Sequence, residues 1–264
     1  MDNLLPHVGM DKSHAYIRDR TRAIRKDFTR QRDFSLDAMY CHERIARFHI
    51  LGLHAHCRAD PNQEQQETEQ LKKVLQTLAE MYQDSIGTHS SPNEAEFRAY
   101  YMLVHQRDKT ALLTIRQVPQ GVYCAPILQW ALELRFSQSR NVDVDKRQSH
   151  LNSDVTQMNY ALLFRLWEDR RTSYLMACIL EGYLNDIRRS ILRLLKRSID
   201  LGSRKVPGEA LIELLRLDTE DELVHWMNAL GWPIDAEGVV EVPHDQTDIP
   251  SEYYVNRTEC IASP

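Results

Sequence analysis

The chain has 264 residues, 42% hydrophobic and 27% charged, with only nine glycines and ten prolines. This composition is typical of a globular, helix-rich protein and excludes a low-complexity chain. The formal net charge of −5 gives no global attraction for polyanions, so any affinity for nucleic acid must come from a local basic patch. No apolar run is long enough to cross a bilayer, and the N-terminus lacks the apolar core of a signal peptide.

The first predicted helix contains the stretch RDRTRAIRKDFTRQ, in which six of fourteen residues are Arg or Lys. Its apolar stripe at helical spacing is Ile17, Thr21, Ile24 and Phe28. Arg18, Arg22 and Arg25 lie beside that stripe. An arginine guanidinium can donate several hydrogen bonds to carboxylates and carbonyls while its methylene groups pack on apolar surface. We therefore expect a structural role for these three arginines. Arg20 and Lys26 are then the free charges.

Helices continue along the chain. Residues 35–57 predict a long helix with a broad buried face, and residues 71–82 carry a clean amphipathic stripe. A helix start follows, with Ser91 as cap, Pro92 at the first helical position and Glu94 completing a capping box.

The second half of the chain predicts helices over 123–138 and 155–169, joined by a polar loop at 140–154, and one long helix over 172–201. After Gly202 come two short helices, the second with Asp218 as cap and Asp221 at the box position. Short β segments then flank a turn at 236–238.

Helix, helix, hairpin is the end of a winged-helix module. The sequence therefore predicts a mainly all-α chain with three parts. Residues 1–201 form an α-solenoid of antiparallel helix pairs, 202–243 a small C-terminal winged helix, and 244–264 a flexible tail.

The sequence gives little support for a catalytic function. The five cysteines are odd in number and form no CxxC pair, which indicates buried thiols in a reducing compartment. His42, His49, His54 and His56, flanked by Cys41 and Cys57, suggest a metal hydrolase, but no HxxxH or HExxH pair is present. Partly exposed or hydrogen-bonded histidines are the favoured interpretation. No catalytic residue, metal ligand or cofactor is predicted.

A basic segment gives the better signal. Seven Arg and Lys residues stand between 188 and 205 against one acid, Asp200. Phosphate contacts from such residues give salt-sensitive affinity without sequence readout. A solvated helix face is the equally open alternative. The candidate nucleic-acid-binding residues are Arg188, Arg189, Arg193, Lys196, Arg197, Arg204 and Lys205.

The winged helix does not favour base-specific reading. Its second helix begins with the acids Glu220, Asp221 and Glu222 at the end that would enter a DNA groove. A protein partner is the better match for this module. The candidate partner-binding residues are Trp226, Trp232, Val240 and Val242, although for most of them the module's own core is the default interpretation.

Five segments occur in the order and spacing of one family. They are DRTRAIRKDFTRQ, CHERIARFHI, LKKVLQTLAEMYQD, NEAEFRAYYMLV and SYLMACILEGYLNDIRRSILRLL. With them the chain resembles the SAC/GANP family over residues 14–243, and its fungal members most. These are scaffold proteins of the nuclear complex that couples transcription to mRNA export at nuclear pores.

The resemblance implies a helical repeat region with a PCI-like winged helix. It implies pairing with a second PCI/winged-helix subunit, braced by a small acidic subunit, and a shared basic surface for mRNA or other nucleic acid. Flanking regions that would bind the export receptor and pore-anchoring subunits are not in this sequence, so an excised central region and a short family member with a spindle- or centrosome-linked role both remain open. A protein-interaction subunit of a proteasome-lid, signalosome or initiation-factor assembly, without nucleic-acid binding, is the alternative.

Overall fold

The computed structural model describes residues 10–56, 61–106, 108, 110–139, 160–199 and 204–243. The predicted polar loop at 140–154 and the predicted tail at 244–264 lie outside these residues. None of the described helices is long and apolar enough to cross a membrane.

Most of the described chain is helical, which confirms the mainly all-α prediction. A short 3₁₀ helix, Ile115–Gln117, follows α5. The α-helices are α1 Met10–Gln31, α2 Leu36–His56, α3 Pro61–Asp84, α4 Glu94–Val104, α5 Ala111–Thr114, α6 Gln120–Tyr123, α7 Pro126–Ser139, α8 Tyr160–Trp167, α9 Tyr174–Glu181, α10 Leu184–Ser198, α11 Gly208–Leu215 and α12 Glu220–Leu230.

A two-stranded antiparallel sheet joins β1, Lys205–Pro207, to β2, Val239–Glu241. Val206 pairs with Val240 at its centre. The hairpin predicted around residues 236–238 is present as a single bridge between Ile234 and Val240. Sequence periodicity did not indicate β1, because three residues are too few for an alternating pattern to register. The longer pairing of β2 is therefore with a strand more than thirty residues upstream.

The backbone at Gly208, where α11 begins, passes close to the backbone at Gly238. The Gly208 N–H donates to the carbonyl oxygen of Gly238 at 2.9 Å. A Cβ added at position 208 would lie 2.6 Å from that oxygen, which is too close for any residue other than glycine. Gly238 itself has φ +75°, the left-handed turn conformation that glycine adopts without steric cost. Both glycines thus let β2 return beside β1.

The single long helix predicted over 172–201 is wrong. The structure has two helices, α9 and α10, separated at Gly182 and Tyr183. Glycine lowers helix propensity by about 1 kcal/mol relative to alanine, so an interruption costs least there. α9 begins at Ser173, whose side chain accepts a hydrogen bond from the backbone N–H of Met176.

Two predicted helix caps are displaced along the chain. α4 begins at Glu94, and Ser91 bonds to Glu43 and to the Asn93 N–H instead of capping the helix. α12 is capped by Thr219, one residue after the predicted Asp218. The reciprocal carboxylate there is Glu222, and its Oε2 accepts from the Asp218 N–H at 3.0 Å.

The described residues form two compact units. Unit 1 comprises those up to Phe136 together with Arg165–Gly182, and unit 2 comprises the described residues between Ser137 and Phe164 and from Tyr183 onward. In unit 1, α2 packs against α1, α3 and α9, and α3 packs against α4. In unit 2, α11 and α12 pack together beside the sheet, and α10 packs on α11. The predicted boundaries at residues 201 and 243 remain predictions.

The opening arginines differ among themselves. Arg18 donates to Gln66 at 3.1 Å and Arg25 to Gln70 at 2.6 Å, so both fasten α1 to α3. Burial, with the nearby charge of Arg22, lowers the pKa of Arg25. Arg22 is itself exposed, unlike the structural role predicted for it. Ile24 is also exposed, which narrows the buried stripe of α1.

Candidate nucleic-acid interface

Arg188 lies on α10 with no exposed surface. Its Nε donates to the Leu215 carbonyl at 2.9 Å and its Nη2 to the Arg216 carbonyl at 2.5 Å. Nη1 forms an ion pair with Glu222 Oε1 at 3.0 Å. These carbonyls end α11, where helical backbone leaves acceptors without intrahelical donors. Arg188 is therefore a buried cap, and its prediction as a phosphate contact is wrong.

Arg189 is also withdrawn from solvent, with 7% of its surface exposed. Its Nη2 donates to Asp186 Oδ1 at 2.7 Å and its Nε to the Asn185 carbonyl at 3.2 Å. The charge is thus matched by a carboxylate one turn earlier on α10. The structure does not support Arg189 as a phosphate contact either.

The remaining candidates reach solvent to different degrees. Arg193 and Lys196 are half-buried, three residues apart on α10, and both also have interactions within the protein. Arg204 is half-buried and donates to the Pro243 carbonyl at 3.0 Å. Lys205 is exposed on β1, where it faces Glu241 of β2. The side chain of Arg197 lies outside the described residues.

Acidic residues dominate the stretch that follows α10. Residues 204–243 contain nine Asp and Glu against three Arg and Lys, whereas α10 contains five basic residues and one acid. Glu220 and Asp221 are exposed in the first turn of α12, where their charge suits the helix N-terminus. Such a helix start repels phosphate, as the sequence predicted. The candidate phosphate contacts of this unit therefore remain the basic side chains of α10 together with Arg204 and Lys205.

The four candidate partner-binding residues are core residues of unit 2. Trp226, Trp232, Val240 and Val242 are all at most 3% exposed. They share this burial with Leu211 and Leu215 of α11. Because a buried side chain has no area left to offer a partner, their prediction as interface residues is wrong. The exposed apolar residue that sequence analysis passed over here is Val224, on the outer face of α12.

The histidines form no metal site in the described residues, where no group of three His, Cys, Asp or Glu is arranged to hold an ion. His42 Nδ1 bonds to the Ala38 carbonyl at 2.8 Å. His49 Nδ1 lies 2.7 Å from Glu67, and His54 Nδ1 lies 2.6 Å from Glu181. The side chains of His56 and Cys57 fall outside the described residues. Each described histidine of the cluster thus binds within the protein, as the favoured interpretation expected.

Unit 1 has a buried arginine of its own that the sequence did not single out. Arg135 on α7 donates from Nη1 to the carbonyls of Met102 and His105 at 2.9 and 2.6 Å, and from Nη2 to that of Asp108 at 2.6 Å. These carbonyls lie at and just beyond the end of α4. The contact ties α7 to that helix end in the way Arg188 ties α10 to α11.

Comparison with known proteins gives consistent matches. The sequence model of the SAC3/GANP family matches residues 1–236. The chain is 33% identical to SAC3 family protein 1 of Schizosaccharomyces pombe over 90% of its own length. It is 32% identical to the Drosophila melanogaster protein xmas over 95% of the chain, and 27% identical to Arabidopsis thaliana SAC3 family protein B over 78%. It spans only 24%, 11% and 12% of the lengths of these three relatives.

Proposed function

The chain belongs to the SAC3/GANP family, and on that premise we propose that it is a scaffold subunit that couples transcription to mRNA export at nuclear pores. SAC3/GANP proteins are a scaffold-type family whose homologues act in nuclear mRNA export. Family membership over most of the chain is the observation that carries the proposal. The chain's role is non-enzymatic, and its place is the nucleus, at the pore.

The proposed partner is a second PCI-like subunit, itself bound to a small acidic subunit. Unit 2 supports this assignment because its order, β1, α11, α12 and β2, is the order expected of a winged-helix module. Since the two tryptophans and two valines first considered for pairing are buried, the partner instead meets exposed residues of α12. Val224 and His225 are the candidates there.

The proposed nucleic-acid surface is smaller than the sequence suggested. It comprises Arg193, Lys196, Arg204 and Lys205, the described candidates of the basic segment that reach solvent. A few cations beside an acidic module hold RNA or DNA through phosphate alone, so the binding is nonspecific and strongly salt-dependent. Affinity then depends on the complex, in which the second subunit adds its own charges.

Charge reversal tests the nucleic-acid surface. In the complex with the partner, Lys196→Glu with Lys205→Glu should lower affinity for single-stranded RNA by about tenfold or more and reduce the slope of log K against log salt by roughly 1.4. Filter binding at several salt concentrations measures both quantities. Arg20→Glu with Lys26→Glu makes the same change in net charge on the exposed face of α1 and should leave the slope unchanged. Equal effects of the two double variants, or no effect of either, would reject this surface.

A protein-interaction subunit without nucleic-acid binding is the second candidate. The acidic excess over residues 204–243 and the buried state of Arg188 and Arg189 favour it. It predicts a stable complex with the second subunit and no salt-sensitive retention of RNA by that complex. The same filter-binding series, carried out on the unmodified complex, distinguishes the two candidates.

A further inference from the structure

Three histidines are buried where α1 packs on α2 and α3. His14 of α1 and His42 and His49 of α2 are each at most 4% exposed. His14 stacks on Phe48, and His42 lies against Phe28 with ring centroids 5.6 Å apart. Glu67 of α3 is fully buried beside two of them, 2.7 Å from His49 Nδ1 and 3.4 Å from His14 Nε2. Titratable rings therefore line the inner side of the first helix.

The hydrogen bonds fix where the ring protons lie. The Ala38 carbonyl only accepts, and so does the Glu67 carboxylate, so His42 and His49 each carry their proton on Nδ1. An added proton must go to Nε2. Both Nε2 atoms are buried and have no hydrogen-bond partner among the described residues. Protonation of His42, which has no carboxylate at Nδ1, would thus create a buried cation with an unsatisfied donor, which costs free energy twice.

The charges around the three rings differ. α1 contributes Arg18, whose Nη1 is 3.8 Å from Glu67 Oε1, and also Arg25 with Arg22 beside it. α2 contributes the histidines, and α3 contributes Glu67. Burial alone would raise the pKa of Glu67, but hydrogen bonds and charges from His14 and His49 outweigh it and lower the pKa to about 2. Glu67 is therefore ionised at neutral pH and compensates a proton on His49 or His14. His42 instead has a backbone carbonyl at Nδ1 and the charge of Arg25 nearby.

The site is also too tight to adjust. A Cβ added to Gly52 of α2 would lie 2.8 Å from His14 Nε2 and 3.3 Å from Glu67 Oε2. Because the α2 backbone closes directly on the cluster, there is little space for a side chain to turn away. Relief of an added charge then requires the helices to separate.

We propose that the buried His42 makes the docking of α1 sensitive to protons, so that mild acidification releases α1 from α2 and α3. α1 is the element that yields because its main helix contact is with α2 and most of its described residues are exposed. Released, α1 exposes the His42 ring to water, and the ring takes up its proton. Burial, with a smaller effect of Arg25, lowers the pKa of His42, which agrees with this direction.

Proton linkage gives the direction and the size of the expected change in α1 docking with pH. A histidine kept neutral in the docked state contributes stability above its free pKa of about 6.5 and loses it as the pH falls below that value. Between pH 7.5 and 5.5, one such histidine lowers the docking equilibrium constant by about tenfold.

Hydrogen exchange by mass spectrometry on the whole chain at the two pH values tests the proposal. After correction for intrinsic rates, protection in α1 should fall by about tenfold or more, while protection in α4 stays constant. His42→Asn keeps a donor near Nδ1 but cannot be protonated, so it should weaken the pH effect. His225→Gln, on the exposed face of α12, is the matched control and should not.

If an asparagine variant is already unprotected at pH 7.5, the unmodified chain still decides. Equal change in α1 and α4, or constant protection in α1, would overturn the proposal. So would an asparagine variant that folds and retains the full pH dependence.

Discussion

The two units each bury one arginine against the end of a helix, and they balance its charge differently. Arg135 in unit 1 donates to three backbone carbonyls. Arg188 in unit 2 donates to two carbonyls and to the buried carboxylate of Glu222. The acceptors described at Arg135 are thus carbonyls at a helix end, whereas at Arg188 a buried carboxylate joins them in an ion pair.

The two arginines therefore differ in which groups lose a partner when the arginine is removed. Without Arg135, the carbonyls around the end of α4 lose donors. Without Arg188, the same loss at the end of α11 is joined by an unpaired carboxylate in the interior. The two sites therefore share a geometry but should differ in the cost of losing the cation.

The largest effect is expected for Arg188→Met. It leaves Glu222 buried without its partner and should destabilise unit 2 by about 3–5 kcal/mol. Hydrogen-exchange protection in α11 and α12 measures the local loss. Adding Glu222→Gln to the same chain should recover part of it, because the stranded charge is removed. Failure of the double variant to recover any stability would show that the carboxylate is not the source of the cost.

Arg135→Met should cost less, about 2–3 kcal/mol, because the acceptors described for Arg135 are backbone carbonyls, which carry no full charge. Urea unfolding followed by circular dichroism, with exchange in α4 as the local measure, determines it. The exposed Arg116→Met should change stability by less than about 0.5 kcal/mol. A cost equal to that of Arg188→Met would remove the distinction between the two sites.

The smallest effect concerns the cap that positions Glu222. Thr219 Oγ1 accepts from the Glu222 N–H at 3.2 Å, so Thr219→Ala should cost about 1 kcal/mol in unit 2. Thr219→Ser keeps the accepting oxygen and should cost little. If alanine and serine lower the midpoint of urea unfolding equally, the hydroxyl does not cap α12.

Most of the helical architecture could be predicted because periodic apolar positions report burial directly. Leu71, Leu75 and Leu78 recur at helical spacing and are all core residues of α3. Periodicity continues through a short interruption, however, so residues 172–201 suggested one helix. β1 was missed because its three residues depend on pairing with β2, which no local pattern encodes.

The basic segment shows why site prediction was harder. Arg188 and Lys205 have the same charge, but one is a buried cap and the other is exposed. A signal for burial was present, since Arg188 follows Leu184 by four residues and precedes Ile191 by three, which places it on the apolar face of α10. What sequence could not supply was its acceptors, the helix end at Leu215 and Arg216 and the carboxylate of Glu222.

The sheet has a consequence for the order of events on the ribosome. β1 leaves the exit tunnel more than thirty residues before β2, so it has no strand to pair with while α11 and α12 are being made. Unit 2 can complete its sheet only after Val239–Glu241 has left the exit tunnel. A fragment trimmed at residue 236, where the match to the family ends, would lack that last strand and should emerge with its hydrophobic interior open.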